Sequence, residues 1–148
     1  MGWVGGLRGE LVGLDTAPLI YFVEKNQTYI NMLRPFFKSV DKGEILVVTS
    51  ILTLVETMVH PFRRDDTELI NDYQEILFNT KSLKTVAFSR NIAEEAARLR
   101  AFYKIRTPDA IQMATASSLG ASVFLTNDIH LPSASKLKVL VLDKLRSS

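Results

Sequence analysis

The chain has 148 residues, of which 47% are hydrophobic and 23% charged, and these proportions are typical of one folded domain and exclude a disordered chain. It contains no cysteine, which excludes disulfides and thiolate metal sites and suits a reducing cytoplasm. The net charge of +2 is too small to indicate nucleic-acid binding by itself.

The first ten residues carry glycine at positions 2, 5, 6 and 9. They predict a flexible lead-in over 1–10, followed by a single domain over 11–145. The lead-in has an early arginine but no sustained apolar segment, so it does not resemble a secretory signal. No apolar run approaches the length needed to cross a bilayer. We therefore expect a cytoplasmic protein without a membrane segment.

Strands and helices are predicted to alternate along the chain. The first strand, 11–14, ends at Asp15, and a helix begins near Thr16, where proline is tolerated in the first turn. Further helices are predicted over 29–40, 51–59, from 65–67 to about 78, over 91–103 and over 109–119. Thr49 and Ser50 are expected to cap the helix over 51–59, which His60 and Pro61 end, and Ser89 is expected to cap the helix over 91–103. Thr107 and Pro108 open the last helix, and Gly120 stops it. Further strands are predicted over 45–48, 83–88, 122–125 and 138–142. This order predicts an α/β fold, a three-layer α/β/α sandwich with a mainly parallel central sheet.

Four carboxylates occupy distinctive positions in this pattern. Asp15 and Asp128 each follow a predicted strand, Asp109 lies in the first turn of a helix, and Glu56 lies within the apolar segment SILTLVETMV. In parallel sheets, ligands bind beyond the carboxyl ends of the strands. Helices that run back over the sheet would bring Glu56 and Asp109 to the same edge.

Each acid also has a purely structural interpretation. Asp15 is a suitable N-cap, Asp109 complements a helix dipole, Asp128 forms turns, and Glu56 could be the polar edge of a mostly buried helix. Several carboxylates held together, however, repel unless a cation neutralises them. Because the two histidines, His60 and His130, are the only imidazoles, an all-oxygen Mg²⁺ or Mn²⁺ site is favoured over zinc.

Three segments resemble the motifs of PIN domains, in particular the ribonuclease toxins of VapC type: LDTAPLIYFVE, TLVETM and RTPDAIQMATASSLGASVFLTND. The resemblance extends from about Leu11 to Leu142. It implies a catalytic cluster of Asp15, Glu56, Asp109 and Asp128 that binds Mg²⁺ or Mn²⁺ and hydrolyses RNA phosphodiester bonds.

The resemblance also suggests a role for each side chain. Asp15 and Asp109 are expected to be the principal metal ligands and Asp128 to complete the metal site. Glu56 is expected to orient or deprotonate the attacking water, or to be a further ligand. Two hydroxyl groups are expected to support the site: that of Thr126, in the TND motif, and that of Thr16, beside Asp15.

The sequence departs from the PIN pattern in two places. The segment that precedes the first strand is longer than in many members of the family. Ile129 and His130 follow the TND motif where another polar or acidic residue is common, which leaves open whether one or two metal ions bind.

An RNA substrate requires cationic contacts. Removing the four acids leaves 12 acidic residues against 18 basic ones, so the remaining surface is basic. Arg106, three residues before Asp109, is the predicted phosphate contact, although a solvated helix face is the alternative for any single cation. The other cations considered are Arg63, Arg64, Lys81, Lys84, Arg98, Arg100 and Lys104. Base stacking or core packing is expected of Tyr29, Phe36, Phe37, Phe62 and Tyr103, and His130 is a further possible substrate contact.

Other classes of protein fit less well. A haloacid-dehalogenase-type phosphatase requires a second aspartate two residues after the first, where Ala17 stands, and a response-regulator receiver requires an acidic pair. A PIN-fold RNA-binding or RNA-processing module that is not a toxin remains an alternative. A nuclease toxin would have a cognate antitoxin as its partner, and the helices over 29–40 and 51–62 offer apolar surface for that antitoxin or for a homodimer.

Overall fold

The computed structural model describes residues 2–134 and 136–146, so Met1 of the predicted lead-in and Ser135 of the predicted domain lie outside the described residues. The strands are β1 (Leu11–Leu14), β2 (Leu46–Ser50), β3 (Leu83–Val86), β4 (Val123–Thr126) and β5 (Lys138–Val141). The helices are α1 (Gly2–Gly5), α2 (Thr16–Val23), α3 (Ile30–Asp41), α4 (Leu52–Arg63), α5 (Thr67–Asn79), α6 (Arg90–Phe102), α7 (Thr107–Ser118) and α8 (Leu142–Arg146). None of the helices within these residues is long and apolar enough to span a bilayer.

The five strands form one sheet in the order β3-β2-β1-β4-β5, and every neighbouring pair is parallel. The predicted three-layer α/β/α fold is therefore confirmed. The chain builds one half of the sheet from β1 through β3 and then crosses over to β4 and β5. This reversal places the switch point of the topology between β1 and β4, where ligands bind in open parallel sheets.

Alternating strand residues supply the two cores of the domain. Val47 and Leu125 belong to the apolar cluster on one face of the sheet, whereas Val48 and Phe124, their neighbours in sequence, belong to the cluster on the other. Side chains alternate in this way because the strand has a period of two. The first cluster is completed mainly by α2, α3 and α5, and the second by α6 and α7.

Helix α7 lies unusually close to the sheet at Gly13. A methyl group added to Gly13 would lie 2.4 Å from Cβ of Ala116 and 3.0 Å from Cδ1 of Phe124. The pair of small residues lets the last turn of α7 approach β1 closely.

Two predicted boundaries around α4 were wrong. Strand β2 continues through Thr49 and Ser50, because both pair with β3, so only Ser50 acts near the helix start, where its Oγ accepts the N–H of Leu52 at 3.0 Å. Pro61 does not end the helix, which continues to Arg63. A proline in the last turn removes one hydrogen bond, and burial of its ring offsets that loss.

The amino-terminal segment also differs from the expected flexible lead-in. Trp3 stacks on Phe36 with a centroid distance of 5.6 Å, Leu7 is buried in the first core cluster, and the N–H of Gly9 donates to the carbonyl of Glu44 at 2.8 Å. These contacts join residues remote in sequence, which a glycine-rich composition does not predict.

The other differences are smaller. Strand β3 ends at Val86 and not at Phe88, and Leu142 begins the short helix α8 instead of ending β5. The predicted cap Ser89 is confirmed, because its side chain accepts the N–H of Ile92. Within the predicted opening 65–67, Asp66 is the N-cap, and its side chain accepts the N–H of Leu69. Gly120 has φ of 83°, a left-handed conformation that stops α7 as predicted.

Candidate active site

A cleft of about 580 Å³ opens where β1 and β4 end. All four acids singled out in the sequence line it: Asp15 follows β1, Asp128 follows β4, Asp109 lies in the first turn of α7, and Glu56 lies on α4. The predicted residues Thr16, Thr126, Arg106 and His130 line it as well. The fold therefore brings together the residues that the sequence singled out, while their chemical roles remain predictions.

Asp15 has a pKa that is raised well above its ordinary value. Its Oδ1 accepts the N–H of Thr16 at 2.8 Å, and its Oδ2 accepts the hydroxyl of Thr126 at 2.7 Å. Burial raises the pKa of Asp15 to about 6, the two hydrogen bonds oppose that shift, and repulsion from Asp109 and Glu56 adds to it. This repulsion shows that three carboxylates act on one another within the cleft.

Asp109 forms an ion pair with Arg106. The two side chains meet with Nε of Arg106 3.1 Å from Oδ2 of Asp109, and they are 77% and 11% exposed, respectively. The hydrogen bond to Asp109 raises the pKa of Arg106, and attraction by Asp128 and Glu56 adds to that effect. The guanidinium therefore lies on the solvent side of the cleft, within the field of three acids.

Glu56 projects from α4 toward the start of α2. Its Oε1 accepts the hydroxyl of Thr16 at 2.7 Å, although the residue as a whole is exposed. Helix α4 begins immediately after β2, and its second turn therefore lies beside the end of β1. The hydrogen bond fixes one carboxylate oxygen and leaves the other free to face the cleft.

Thr126 links the two acids that follow strands. Its hydroxyl donates to Asp15 and accepts the N–H of Asp128 at 3.1 Å. The side chain is fully buried, which holds this geometry in place. A hydroxyl is required here because it donates and accepts at once.

The structural interpretations of Asp15, Asp109 and Asp128 are also correct and are compatible with a site, whereas α4 is not the mostly buried helix expected around Glu56, because Val55 and Val59 are exposed. Asp15 is the N-cap of α2, Asp109 lies in the first turn of α7, and Oδ1 of Asp128 accepts the N–H of His130 at 2.9 Å. Each acid is thus held by its own element while its carboxylate remains at the cleft.

Other predicted contacts lie elsewhere. Phe36 and Phe37 are core residues, and His60, Phe62 and Tyr103 do not line the cleft. Tyr29 is close, because it stacks on the cleft residue Tyr21 at 4.4 Å. Among the described residues that line the cleft, Arg106 is the one arginine or lysine.

Three polar cleft residues were not singled out in the sequence: Tyr21, Gln112 and Asn127. Asn127 donates to the hydroxyl of Tyr29 at 3.0 Å and accepts the N–H of Asp143 at 3.0 Å, which ties α8 to the rim of the cleft. A polar residue three positions after Asp109, as Gln112 is, shares its helix face. That spacing was the signal that could have identified Gln112.

The donor set suits a hard cation, but the acids do not form a closed cage. Among residues 2–134 and 136–146, no three acidic, histidine or cysteine side chains converge closely enough to enclose a metal ion. Their oxygens instead accept hydrogen bonds from Thr126, Thr16 and Arg106. Carboxylate oxygens alone fit Mg²⁺ or Mn²⁺, and Mg²⁺ retains several waters and is held by one or two carboxylates.

A second hollow, of about 670 Å³, lies away from the acids between α2, α3 and α5. Its lining is mainly apolar and includes Phe22, Ile30, Phe37, Ile76 and Leu83. It contains none of the four acids, so its size does not make it the chemical site. The smaller, polar cleft is lined by all four acids and is therefore the candidate active site.

A five-stranded parallel sheet with acids at its β1/β4 switch point defines the class of this protein as an α/β/α domain with an acidic cleft. A model of the PIN domain family matches residues 12–137. The chain belongs to the PIN domain family, and the resemblance found in its motifs is confirmed. No curated protein matches the sequence significantly.

Three solved structures share this fold. VapBC2 from Rickettsia felis, bound to a DNA fragment from its promoter, matches with a TM-score of 0.65 and 16% identity over 88% of this chain and 98% of the other. A toxin–antitoxin complex from Klebsiella pneumoniae matches with a TM-score of 0.62 and 21% identity over 87% of this chain and 95% of the other. DNA-bound VapBC from Salmonella typhimurium matches with a TM-score of 0.61 and 16% identity over 90% of this chain and 98% of the other. At these identities the likeness establishes the fold alone.

Proposed function

We propose that this PIN domain is a metal-dependent ribonuclease that hydrolyses RNA phosphodiester bonds. The observation that carries the proposal is the convergence of Asp15, Glu56, Asp109 and Asp128 on one cleft at the switch point of the sheet. The raised pKa of Asp15 adds support, because perturbed carboxylates cluster at functional sites. The proposed substrate makes the cytoplasm the place of action.

Asp15, Asp109 and Asp128 would hold Mg²⁺ or Mn²⁺. When bound, such an ion lowers the pKa of a water molecule and neutralises charge that develops on the phosphoryl group. Occupation of the cleft by a cation would also relieve the repulsion that Asp109 and Glu56 exert on Asp15.

The remaining residues would act on the water and the substrate. Glu56, held through one oxygen by Thr16, would use its other oxygen to orient the attacking water or to accept its proton. Arg106 would contact a phosphate beside the scissile bond, because it is exposed at the rim and remains cationic. Thr126 would keep Asp15 and Asp128 in fixed orientation.

Cleavage of total RNA by the purified protein tests this function. Cleavage is expected with Mg²⁺ or Mn²⁺ and is expected to stop when a chelator is added. Asp15→Asn and Asp109→Asn are expected to lower the rate by at least about 100-fold, whereas Asp41→Asn, an exposed acid at the end of α3, serves as the matched control. Full activity in both cleft variants would exclude the proposal.

We further propose that the nuclease is the toxin of a type II toxin–antitoxin pair. The three similar structures are toxin–antitoxin or VapBC complexes, and the apolar hollow between α2, α3 and α5 would accept an apolar segment of an antitoxin. The hollow uses α3 as expected, but its second wall is α5 in place of α4. Expression of the protein is expected to arrest growth, and Asp109→Asn to relieve the arrest. Growth arrest by both proteins would exclude a toxic nuclease, and absence of arrest by the wild-type protein would favour another RNA-processing role.

A homodimer is part of the same proposal. Helix α4 presents Val55, Val59 and Phe62 to solvent, at spacings of four and three residues and with exposures of 59%, 40% and 59%. An apolar stripe of this kind on a helix is suited to packing against a second copy. Sedimentation of the protein and of Phe62→Asp is the test, and a monomeric wild-type protein would contradict it.

A further inference from the structure

A closed network of buried side chains lies directly beneath the acids. It joins Thr16 on α2, Thr49 on β2, Thr53 on α4 and Gln112 on α7. All four side chains are buried, and Gln112 is 2% exposed. Within the described residues no buried polar side-chain atom lacks a partner, so the hydrogen bonds of the network can be assigned one by one.

The backbone fixes the orientation of the Gln112 amide. Its Oε1 accepts the N–H of Ser50 at 3.4 Å, and its Nε2 therefore faces the hydroxyls. Nε2 donates to Thr53 at 2.8 Å and to Thr16 at 3.3 Å. The opposite orientation would direct an N–H donor at the N–H of Ser50, which is unfavourable.

Each hydroxyl has one hydrogen, and each hydrogen has one destination. Thr49 donates to the carbonyl of Leu14 at 2.8 Å, so the contact of 2.8 Å between Thr49 and Thr53 has Thr53 as its donor. Thr16 donates to Glu56 at 2.7 Å. The contact of 3.3 Å between Thr16 and Thr53 then carries no hydrogen.

Thr16 nevertheless has two acceptors within reach: Glu56 at the cleft and Thr53 beneath it. Gln112 decides between them, because its two N–H groups satisfy Thr53 and Thr16 together. Without these donors the buried Thr53 hydroxyl would keep only the hydrogen bond that it donates to Thr49, and the loss of the donor to its oxygen is costly. The hydroxyl of Thr16 would then have Thr53 as a second acceptor and would no longer be held on Glu56 alone.

We propose that Gln112 is a positioning residue that directs the hydroxyl of Thr16 onto Glu56 and so fixes the Glu56 carboxylate at the cleft. The consequence for catalysis rests on the proposed nuclease function, whereas the geometric statement does not. Gln112 acts through Thr16 and makes no direct contact with the acids. The same side chain ties α7, which carries Asp109, to α4, which carries Glu56.

The test uses the full chain and two measurements. The first is the chemical shift of the ¹³C-labelled Glu56 carboxyl carbon in metal-free protein, assigned by its loss in Glu56→Gln. The second is kcat and KM for RNA cleavage. Gln112→Met is expected to move the Glu56 resonance and to lower kcat about tenfold, with little change in KM, since a displaced catalytic group affects the chemical step.

A second substitution separates positioning from general damage. Gln112→Met combined with Thr53→Val removes the competing acceptor, so the hydroxyl of Thr16 is expected to return to Glu56. Both the Glu56 resonance and kcat are then expected to recover toward wild type, although the double variant has lost more hydrogen bonds. A double variant no better than Gln112→Met would overturn the proposal.

The control is Thr115→Val, on the same helix as Gln112. It removes a buried hydroxyl that donates to the carbonyl of Ile111 at 2.7 Å and is outside the network, so it is expected to lower stability without moving the Glu56 resonance. Thr16→Val must reproduce the Glu56 shift, which keeps the proposal testable if Gln112→Met does not fold. An unmoved Glu56 resonance in Gln112→Met or in Thr16→Val overturns the proposal. Absence of RNA cleavage by the wild-type protein contradicts only the proposed function.

Discussion

Arg106 and Asp109 form an ion pair across the first turn of α7, in which an exposed guanidinium covers an almost buried carboxylate. The arrangement places a cation at the mouth of an otherwise acidic cleft. A phosphodiester that approaches the acids would meet Arg106 first. The guanidinium could then replace its hydrogen bond to Asp109 by one to a phosphate oxygen and so keep a partner.

Arg106→Ala is therefore expected to weaken RNA binding about tenfold. Because one phosphate contact is lost, the slope of log affinity against log salt concentration is expected to fall by about one. Arg106→Lys is expected to restore part of the affinity, since lysine supplies charge without the guanidinium fork. Binding of an uncleavable RNA measured against salt concentration tests this. Arg90→Ala is the control, because Arg90 is an exposed arginine paired with Glu94 on α6, and an equal loss in both variants would remove the special role of Arg106.

The pKa of Asp15 predicts how the stability of the metal-free protein depends on pH. In the folded state the pKa is about 6, against the ordinary value of 3.8. Between these values the Asp15 carboxyl binds more protons in the folded protein than in the unfolded chain, so its contribution to the free energy of unfolding falls as pH rises from about 4 to 6 and is level above that. The difference corresponds to at most roughly 3 kcal/mol.

Urea denaturation in the presence of chelator, at pH 4 to 8, measures this dependence. Asp15→Asn is expected to abolish the decline and to exceed the wild-type stability at neutral pH, whereas Asp41→Asn, the exposed acid at the end of α3, is expected to follow wild type. A stability difference between Asp15→Asn and wild type that does not grow from pH 4 to 6 would contradict the assignment.

Divalent cations are expected to stabilise the protein independently of any RNA. An ion that binds only the folded state at 100 times its Kd adds about 2.7 kcal/mol, which corresponds to a rise of several degrees in Tm for a domain of this size. Thermal unfolding with Mg²⁺ or Mn²⁺ measures the shift. Asp109→Asn is expected to lose most of it, and an equal shift in wild type and variant would place the ion elsewhere.

Gly13 is expected to control the position of α7. In Gly13→Ala the new methyl would lie 2.4 Å from Cβ of Ala116, so α7 must move away from β1 at a cost of about 1–3 kcal/mol. Adding Ala116→Gly to Gly13→Ala is expected to recover most of that loss. Gly6→Ala, whose methyl would meet only the carbonyl of Trp3 at 3.5 Å, is the control, and comparable losses in the two single variants would contradict the expectation.

The elements of this fold follow from local signals that the sequence displays. Apolar strands that end at acids, the caps Asp66 and Ser89, and the stop at Gly120 each depend on residues within a few positions. The acids that line the cleft could likewise be anticipated, because each stands at the boundary of an element and because parallel strands end at a common edge.

The amino-acid sequence by itself thus determined the order of the five strands and of helices α2 to α7, the family and the four acids. The tertiary structure alone decided that Trp3 packs on Phe36 and that Gln112 donates to Thr16 across 96 residues of sequence. The physical reason is range. Periodicity, capping and turns arise from neighbours in the chain, whereas the direction of a buried hydrogen bond depends on every donor and acceptor that folding brings around it.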